Sequence, residues 1–413
     1  MTARAAEAGT RALPLAGMRV VEISAYVATP LAGLTLAQLG ADVIRVEPVG
    51  GQADRTRMPV SADTGASMYW AGLNKGKRTI EVDFRSAEGR ALVAGLVAAS
   101  GERGGIVISN TTRFPDLGYE ELSRVRPDVI HVQLVGRGDG GTAVDYTVQA
   151  AAGLHAVTGP EGTSGPVNDV MPFWDVACGL YLTTGLLAAE RHRLLTGEGQ
   201  SVRVALRDVA MSTLGNLGFL AEAQLDPRPR PRAGNYVYGM FGRDFTTGDG
   251  HTLMVVVLTT RHWNELVEVT GTAPAVAALA ESAGADFTRE DDRYRHREAL
   301  AALIADWFVT RSRSEVLAAL GRTSVLWEEY RTFADLAADN ARALAEDPLF
   351  ARLDQPGVGP HYAPGSPLRM HGHQAPPRPA PGVGEHTGEV LAELLGCAPG
   401  RLAELRGRGV VGP

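Results

Sequence analysis

Cysteine is almost missing from this chain. Cys178 and Cys397 are the two present among 413 residues, each in apolar sequence, which excludes a disulfide framework and argues against a thiolate-built zinc site. Long apolar runs are missing as well, none reaching the roughly 18 residues of a membrane span. Residues 1–13 contain arginine and alanine but no apolar h-region. They read as a tail rather than a signal peptide, and the cytoplasm is the expected compartment. Excess positive charge is also absent. With 40 Lys and Arg against 47 Asp and Glu the formal net charge is −7, which gives no support to general nucleic-acid binding. What is present, 45% hydrophobic and 21% charged residues, is the composition of a soluble globular protein. At about 150 residues per domain, the length predicts two or three domains.

The first half alternates two periodicities. Strand patterns at 18–24, 41–47, 78–84, 105–110 and 129–135 are separated by helical patterns at 29–39, 86–99 and 119–125. Gly40 closes the first helix and Pro48 stops the second strand. Such alternation predicts an α/β fold, a Rossmann-like large domain with a mostly parallel sheet covered by helices. Sheets of this kind bind ligands at the carboxyl ends of their strands, here 24–28, 48–51, 110–112 and 136–141. A further strand at 201–206 and helix at 208–223 follow. The expected division is a large domain over 1–224, a proline-stiffened linker over 225–235, and a smaller α+β domain over 236–336 opening with a hairpin at 244–258. A Pro/Gly-rich linker over 337–382 and a C-terminal segment over 383–413 would complete it, with a helix at 387–395 returning to the large domain. No internal repeat is visible.

Several motifs carry little. Gly136 to Gly141 satisfies G-x-G-x-x-G but opens no clear helix, so it is a weak dinucleotide signature. His371 and His373 lie in Pro-rich sequence without an acidic or His partner, and no metal site is expected. Ser164 sits on no strand-to-helix elbow, and His155 reads as a core histidine. Lys75, Lys77 and Arg78 fit either a solvated turn or a small anion site. Asp175 is more informative. It is the lone carboxylate in Pro172-Phe173-Trp174-Asp175-Val176-Ala177-Cys178-Gly179, at the start of a segment apolar almost all round, as expected of a buried helix. Orphan N–H groups and the macrodipole favour a negative charge there. Two readings stand: an N-cap, for which Asp is a preferred residue, or a poorly hydrated carboxylate acting as a nucleophile.

The segments Gly40-Ala41-Asp42-Val43-Ile44-Arg45-Val46-Glu47-Pro48, Leu73-Asn74-Lys75-Gly76-Lys77-Arg78, Asp145-Tyr146-Thr147-Val148-Gln149, Thr196-Gly197-Glu198-Gly199-Gln200 and Gly384-Glu385-His386-Thr387 span nearly the whole chain. In that order they resemble the class III, or formyl-CoA type, CoA-transferases, a family that includes the α-methylacyl-CoA racemases. The resemblance implies an interlocked homodimer, no permanently bound cofactor, and coenzyme A arriving as part of the substrate. It makes Asp175 the catalytic nucleophile, carrying first an acyl anhydride and then a CoA thioester. It implies CoA contacts at Tyr26, Val27, Ala28, Leu73, Lys77 (near the phosphates), Asn110 and Tyr146. Racemization is not implied: Thr142 and Thr259 stand where racemases of the family carry a histidine and a glutamate.

A closer resemblance, carried by 70–78, by Leu134-Val135-Gly136-Arg137 with Asp139-Gly140-Gly141, and by Gly242-Arg243-Asp244-Phe245, is to a branch of this family. Its members move CoA between the two carboxyl groups of one unsaturated C5 dicarboxylate, mesaconate. That reaction requires a cation for the free carboxylate, and Arg137 and Arg243 are the candidates. Gly239 and Gly242 are candidates for a moving lid. An intermolecular transferase between two carboxylic acids is the alternative, and a non-catalytic CoA-ester binder is the rival from another class.

Overall fold

The computed structural model describes residues 13–228, 230–338, 344–370 and 374–413. The expected tail 1–12 and the pair His371 and His373 lie outside the described residues. By its contacts the chain divides into two compact units. The first falls within Met1–Ala152, Val170–Ala221 and Ala341–Pro413, the second within Gly153–Asp169 and Glu222–Asn340.

In the first unit, β1 (Arg19–Ile23), α1 (Ala28–Gln38), β2 (Asp42–Glu47), α2 (Met68–Leu73), β3 (Arg78–Glu81), α3 (Ala87–Ala98), β4 (Ile106–Ser109), α4 (Tyr119–Val125) and β5 (Ile130–Val135) follow in order. Short apolar runs such as Val20-Val21 and Ile106-Val107-Ile108 are fully buried, as strands covered on both faces must be. After α5 (Asp145–Ala151) and the one-turn α6 (Leu154–Val157), which falls in the second unit, come α7 (Phe173–Thr196), β6 (Gln200–Ala205), α8 (Leu206–Asn216) and α9 (Phe219–Leu225), which runs into the second unit from Glu222. All six strands are parallel, in the order β3-β2-β1-β4-β5-β6. That is the doubly wound Rossmann order, whose switch point lies between β1 and β4.

Two elements position what lies at that point. Helix α7 packs along α1 because Gly179 has no side chain; a Cβ there would come within 2.9 Å of the Ala28 carbonyl oxygen. The helix Thr387–Leu395 near the C-terminus buries Val390 and Leu391 in one core with Val93, Leu96 and Ile80.

Three expectations need correction. The stretch expected as a linker over 337–382 contains a hairpin, β10 (Phe350–Gln355) with β11 (Gly359–Pro364). Its Gln355 is buried and exchanges two hydrogen bonds with the Ala380 backbone, at 2.8 and 3.0 Å. That is a long-range pairing which Pro/Gly content hides. The helix expected over 208–223 is two helices, broken where Gly218 adopts φ 83°. Helix α7 is longer than expected and is not buried all round: Leu180, Tyr181, Leu194 and Leu195 are exposed.

The second unit pairs β7 (Gly242–Thr246), β8 (Thr252–Val256) and β9 (Leu326–Glu329) antiparallel in that order. Its core includes Phe241, Leu253, Trp263, Ile304 and Phe308, with the Phe245 and Phe308 rings stacked at 4.7 Å.

Candidate active site

Helix α7 starts after Pro172, and Asp175 occupies its first turn. The turn is capped from another element. Asp145, the first residue of α5 and 2% exposed, accepts the N–H groups of Trp174 at 2.7 Å and Asp175 at 2.9 Å on Oδ2. Its other oxygen takes the Gln149 amide, which also donates to the Met171 carbonyl at 2.9 Å. The capping role that Asp175 was equally fit to play is therefore filled.

Asp175 is half-buried, and its carboxylate makes no hydrogen bond or ion pair among the described residues. Burial pushes its pKa up to about 7, the Asp145 charge adds to this, and the Arg57 charge opposes it. The helix N-terminus was expected to favour the ionised form. Asp145 has taken the N–H groups that would have done so, and desolvation wins. One turn on, Cys178 is fully buried, and its thiol is pushed up to about 12 by burial and by both carboxylates. It stays protonated and is no rival nucleophile.

At the switch point the β1–α1 loop has an unusual backbone. Tyr26 is the one non-glycine residue with positive φ, 67°, among those described. Such a conformation costs on the order of 1–3 kcal/mol and persists only where surroundings impose it. Here Asp54 Oδ2 accepts the Tyr26 N–H at 2.9 Å, and Asn110, at the end of β4, clamps Ala25 through its N–H at 3.2 Å and its carbonyl at 2.7 Å. Asp54 is anchored by Arg45 at 2.9 Å, which also reaches Asn74 at 2.9 Å and Glu22 at 3.4 Å. This buried charged pedestal holds the Tyr26 ring out to solvent, half exposed. Val27 and Ala28 are buried at the start of α1, Leu73 is half-buried at the end of α2, and Tyr146 projects from the start of α5.

Lys77 is not where a phosphate could meet it. Its ammonium is enclosed, 2.8 Å from Glu22 Oε2 and from the Pro30 carbonyl and 2.9 Å from Asn74 Oδ1. Burial is the main cause lowering its pKa to about 8. Lys77 belongs to the pedestal, and its expected phosphate contact is corrected. Nor are its neighbours a free anion site or a solvated turn. Lys75 donates to the Pro364 carbonyl at 2.9 Å, and Arg78 pairs with Asp42 and with Glu389 and Glu393 of the C-terminal helix. These partners are distant in sequence, which is why the local pattern misleads.

Arg137 is half exposed and pairs with Asp139 at 3.4 Å. Arg243, on β7 of the second unit, donates to the Tyr236 hydroxyl and the Asp244 carbonyl, both at 2.9 Å. Gly239 keeps a loop conformation with φ 86° and open space around it. Gly242 does not: it is buried in β7, paired with Val256, and accepts the Val237 N–H at 2.9 Å. Its place in a moving loop is corrected, because strand pairing fixes it. His155 is buried in the second unit, 3.6 Å from Asp169, and Thr259 caps the helix Thr260–Thr270.

Three residues of this neighbourhood were not assigned roles from sequence. Asp145 lay within a matched segment, but nothing local marked it as a cap for a helix some thirty residues on. Arg57 lies in the stretch before α2, and Tyr69 is the second residue of α2 itself. The Arg57 guanidinium lies 4.9 Å from the Tyr69 ring centre and 5.7 Å from that of Tyr26. The Tyr69 hydroxyl is enclosed without a hydrogen-bond partner among the described residues. Burial pushes its pKa up to about 12, and the charges of Arg57, Asp175 and Asp54 also act on it.

This constellation sits in a chain whose residues 15–387 match the model of CoA-transferase family III. The chain belongs to that family. It is 48% identical to 2-methylfumaryl-CoA isomerase of Chloroflexus aurantiacus over 398 residues, covering 96% of this chain and 97% of that protein. It is 31% identical to succinyl-CoA:mesaconate CoA-transferase of Haloarcula hispanica, covering 91% and 95%. Among solved structures, a CAIB/BAIF family protein from Brucella suis superposes with a TM-score of 0.74 at 29% identity, covering 93% of this chain and all of that one. The family III chain therefore shares with its structural relative an α/β fold built on a parallel six-stranded sheet. No helix among the described residues is long and apolar enough to cross a membrane.

Proposed function

We propose that this enzyme moves CoA between the two carboxyl groups of mesaconate, converting mesaconyl-C1-CoA into mesaconyl-C4-CoA, and that it works as a homodimer. The observation that carries the chemistry is the Asp175 carboxylate. Among the described residues it has no hydrogen-bond partner in the first turn of α7, because Asp145 performs the capping. A partly desolvated carboxylate that is not spent on capping is free to attack. The high identity to the Chloroflexus isomerase supports the substrate.

The steps need no external atom. An Asp175 oxygen attacks the thioester carbonyl, the C–S bond breaks, and CoA leaves as thiolate from a mixed anhydride. The thiolate attacks the aspartyl carbonyl of the anhydride, releasing the mesaconate carboxylate and leaving an aspartyl-CoA thioester. The other carboxylate of the same mesaconate attacks that thioester and expels the thiolate, giving a second anhydride. Thiolate attack on its mesaconyl carbonyl then restores Asp175. Retaining the diacid keeps its second carboxylate at high effective concentration, and excluding water protects the anhydrides. Tyr26, Asn110 and Tyr146 are proposed CoA contacts at the strand ends.

Two measurements test this reading. Asp175→Ala should abolish turnover, and hydroxylamine should trap a modified Asp175 in the native enzyme only; activity above a few per cent in the variant would end the covalent route. Labelled free mesaconate added during turnover should enter the CoA esters far more slowly than isomerization proceeds. Label entry at a comparable rate would make the enzyme a two-acid transferase, the reading favoured by its likeness to the Haloarcula protein.

A further inference from the structure

We propose that the free carboxylate of the bound dicarboxylyl thioester is held by the Arg57 guanidinium together with the Tyr69 hydroxyl, and not by Arg137 or Arg243. This rests on the dicarboxylate reading above and names the group which that reading requires. A retained diacid needs a cation that is not already spent and that stands beside the nucleophile. Arg137 is paired with Asp139, and Arg243 is committed to Tyr236 and Asp244. Arg45 and Arg55 are tied into the buried pedestal by Glu22, Glu47 and Asp54. The Arg57 side chain is exposed and makes no hydrogen bond or ion pair among the described residues; its contacts are with the faces of Tyr69 and Tyr26. Its charge is also the cationic charge acting on Asp175.

Tyr69 supplies the second observation. A buried hydroxyl without a partner is uncommon and calls for an explanation. This one belongs to a residue that interacts electrostatically with Arg57, Asp175 and Tyr146. Its proton is held tightly, so across the working pH range it is a donor and never an anion. Arg57 lies across the Tyr69 ring. In the proposed complex one carboxylate receives donors from both. A planar guanidinium with a phenol beside it offers the fork that a carboxylate takes up best. Asp175 is then free to meet whichever end of the diacid carries CoA.

Equilibrium binding tests this without requiring turnover. Affinities for mesaconyl-CoA and for tigloyl-CoA, in which a methyl group replaces the free carboxylate, are measured by calorimetry with Asp175→Ala as the common background. Adding Arg57→Ala should weaken mesaconyl-CoA roughly ten- to a hundredfold, as expected for losing charged hydrogen bonds, and leave tigloyl-CoA within about twofold. Tyr69→Phe keeps the ring and should show the same selectivity at roughly three- to tenfold. Equal loss for both thioesters, or loss for neither, overturns the proposal. In the otherwise native enzyme, Arg57→Ala should also raise the exchange of labelled free mesaconate into product, and unchanged exchange counts against it. Failure of Asp175→Ala to stop turnover would instead remove the covalent reading and leave the binding comparison intact.

Discussion

At the residue scale, Asp175 combines two demands that oppose one another. A desolvated carboxylate is a better nucleophile but a weaker acid, and burial together with Asp145 carries its pKa to about 7. In the proposed reaction only the ionised form attacks, so kcat/KM should rise with pH and level off above about 7; a profile flat from pH 5 to 9 would place the chemistry elsewhere. Stability should move the opposite way. The folded-state pKa lies above the unfolded value, so the protonated group stabilises the fold at low pH. That contribution is lost as pH rises from the ordinary aspartate value of 3.8 through about 7. Asp175→Asn has no such loss. The melting temperature of the Asn variant relative to the native protein should therefore climb between those two values and stay constant above, as calorimetry across pH would show. An offset that does not change with pH would contradict the assigned burial.

At the scale of the element, α7 shows how one carboxylate frees another. Asp145 satisfies two N–H groups that the helix leaves orphaned, and its charge faces Asp175. Substitutions separate the two effects. Asp145→Asn keeps an acceptor but removes the charge, so the rising limb of the pH profile should shift to lower pH with little loss of stability. Asp145→Ala removes both and should also destabilise the protein by about 1–2 kcal/mol, the usual worth of an N-cap, read by denaturant unfolding. Identical stability in the two variants would mean that the cap contributes nothing. Gly179 completes the element: without a Cβ it lets α7 lie against the Ala28 carbonyl at the start of α1.

For the whole molecule, the informative surface is apolar. On α7, Leu194 and Leu195 are 70% and 72% exposed, with Leu180 and Tyr181 about half exposed. Large apolar side chains left exposed along one helix point to a surface for association. The proposed homodimer would cover such a face, so sedimentation should return twice the chain mass at micromolar concentration. Leu194→Glu combined with Leu195→Glu should shift that towards the monomer, and a monomeric native protein would refute the assembly.

The sequence alone determined what depends on neighbours along the chain. Alternating periods located the strands and helices of the parallel sheet, and short apolar runs such as 106–108 marked strands buried on both faces. The family's segments marked Asp175. Tertiary structure decided everything that depends on a partner far away. It took Lys77 from the phosphates to Glu22, made a hairpin of a stretch rich in proline and glycine, and fixed Gly242 in a strand. It gave the α7 cap to Asp145 and set Arg57 over Tyr69. Periodicity reports which face of an element turns inward. The partner that a charge finds there is chosen by the fold, because the cost of burying it is met only by groups that folding brings together.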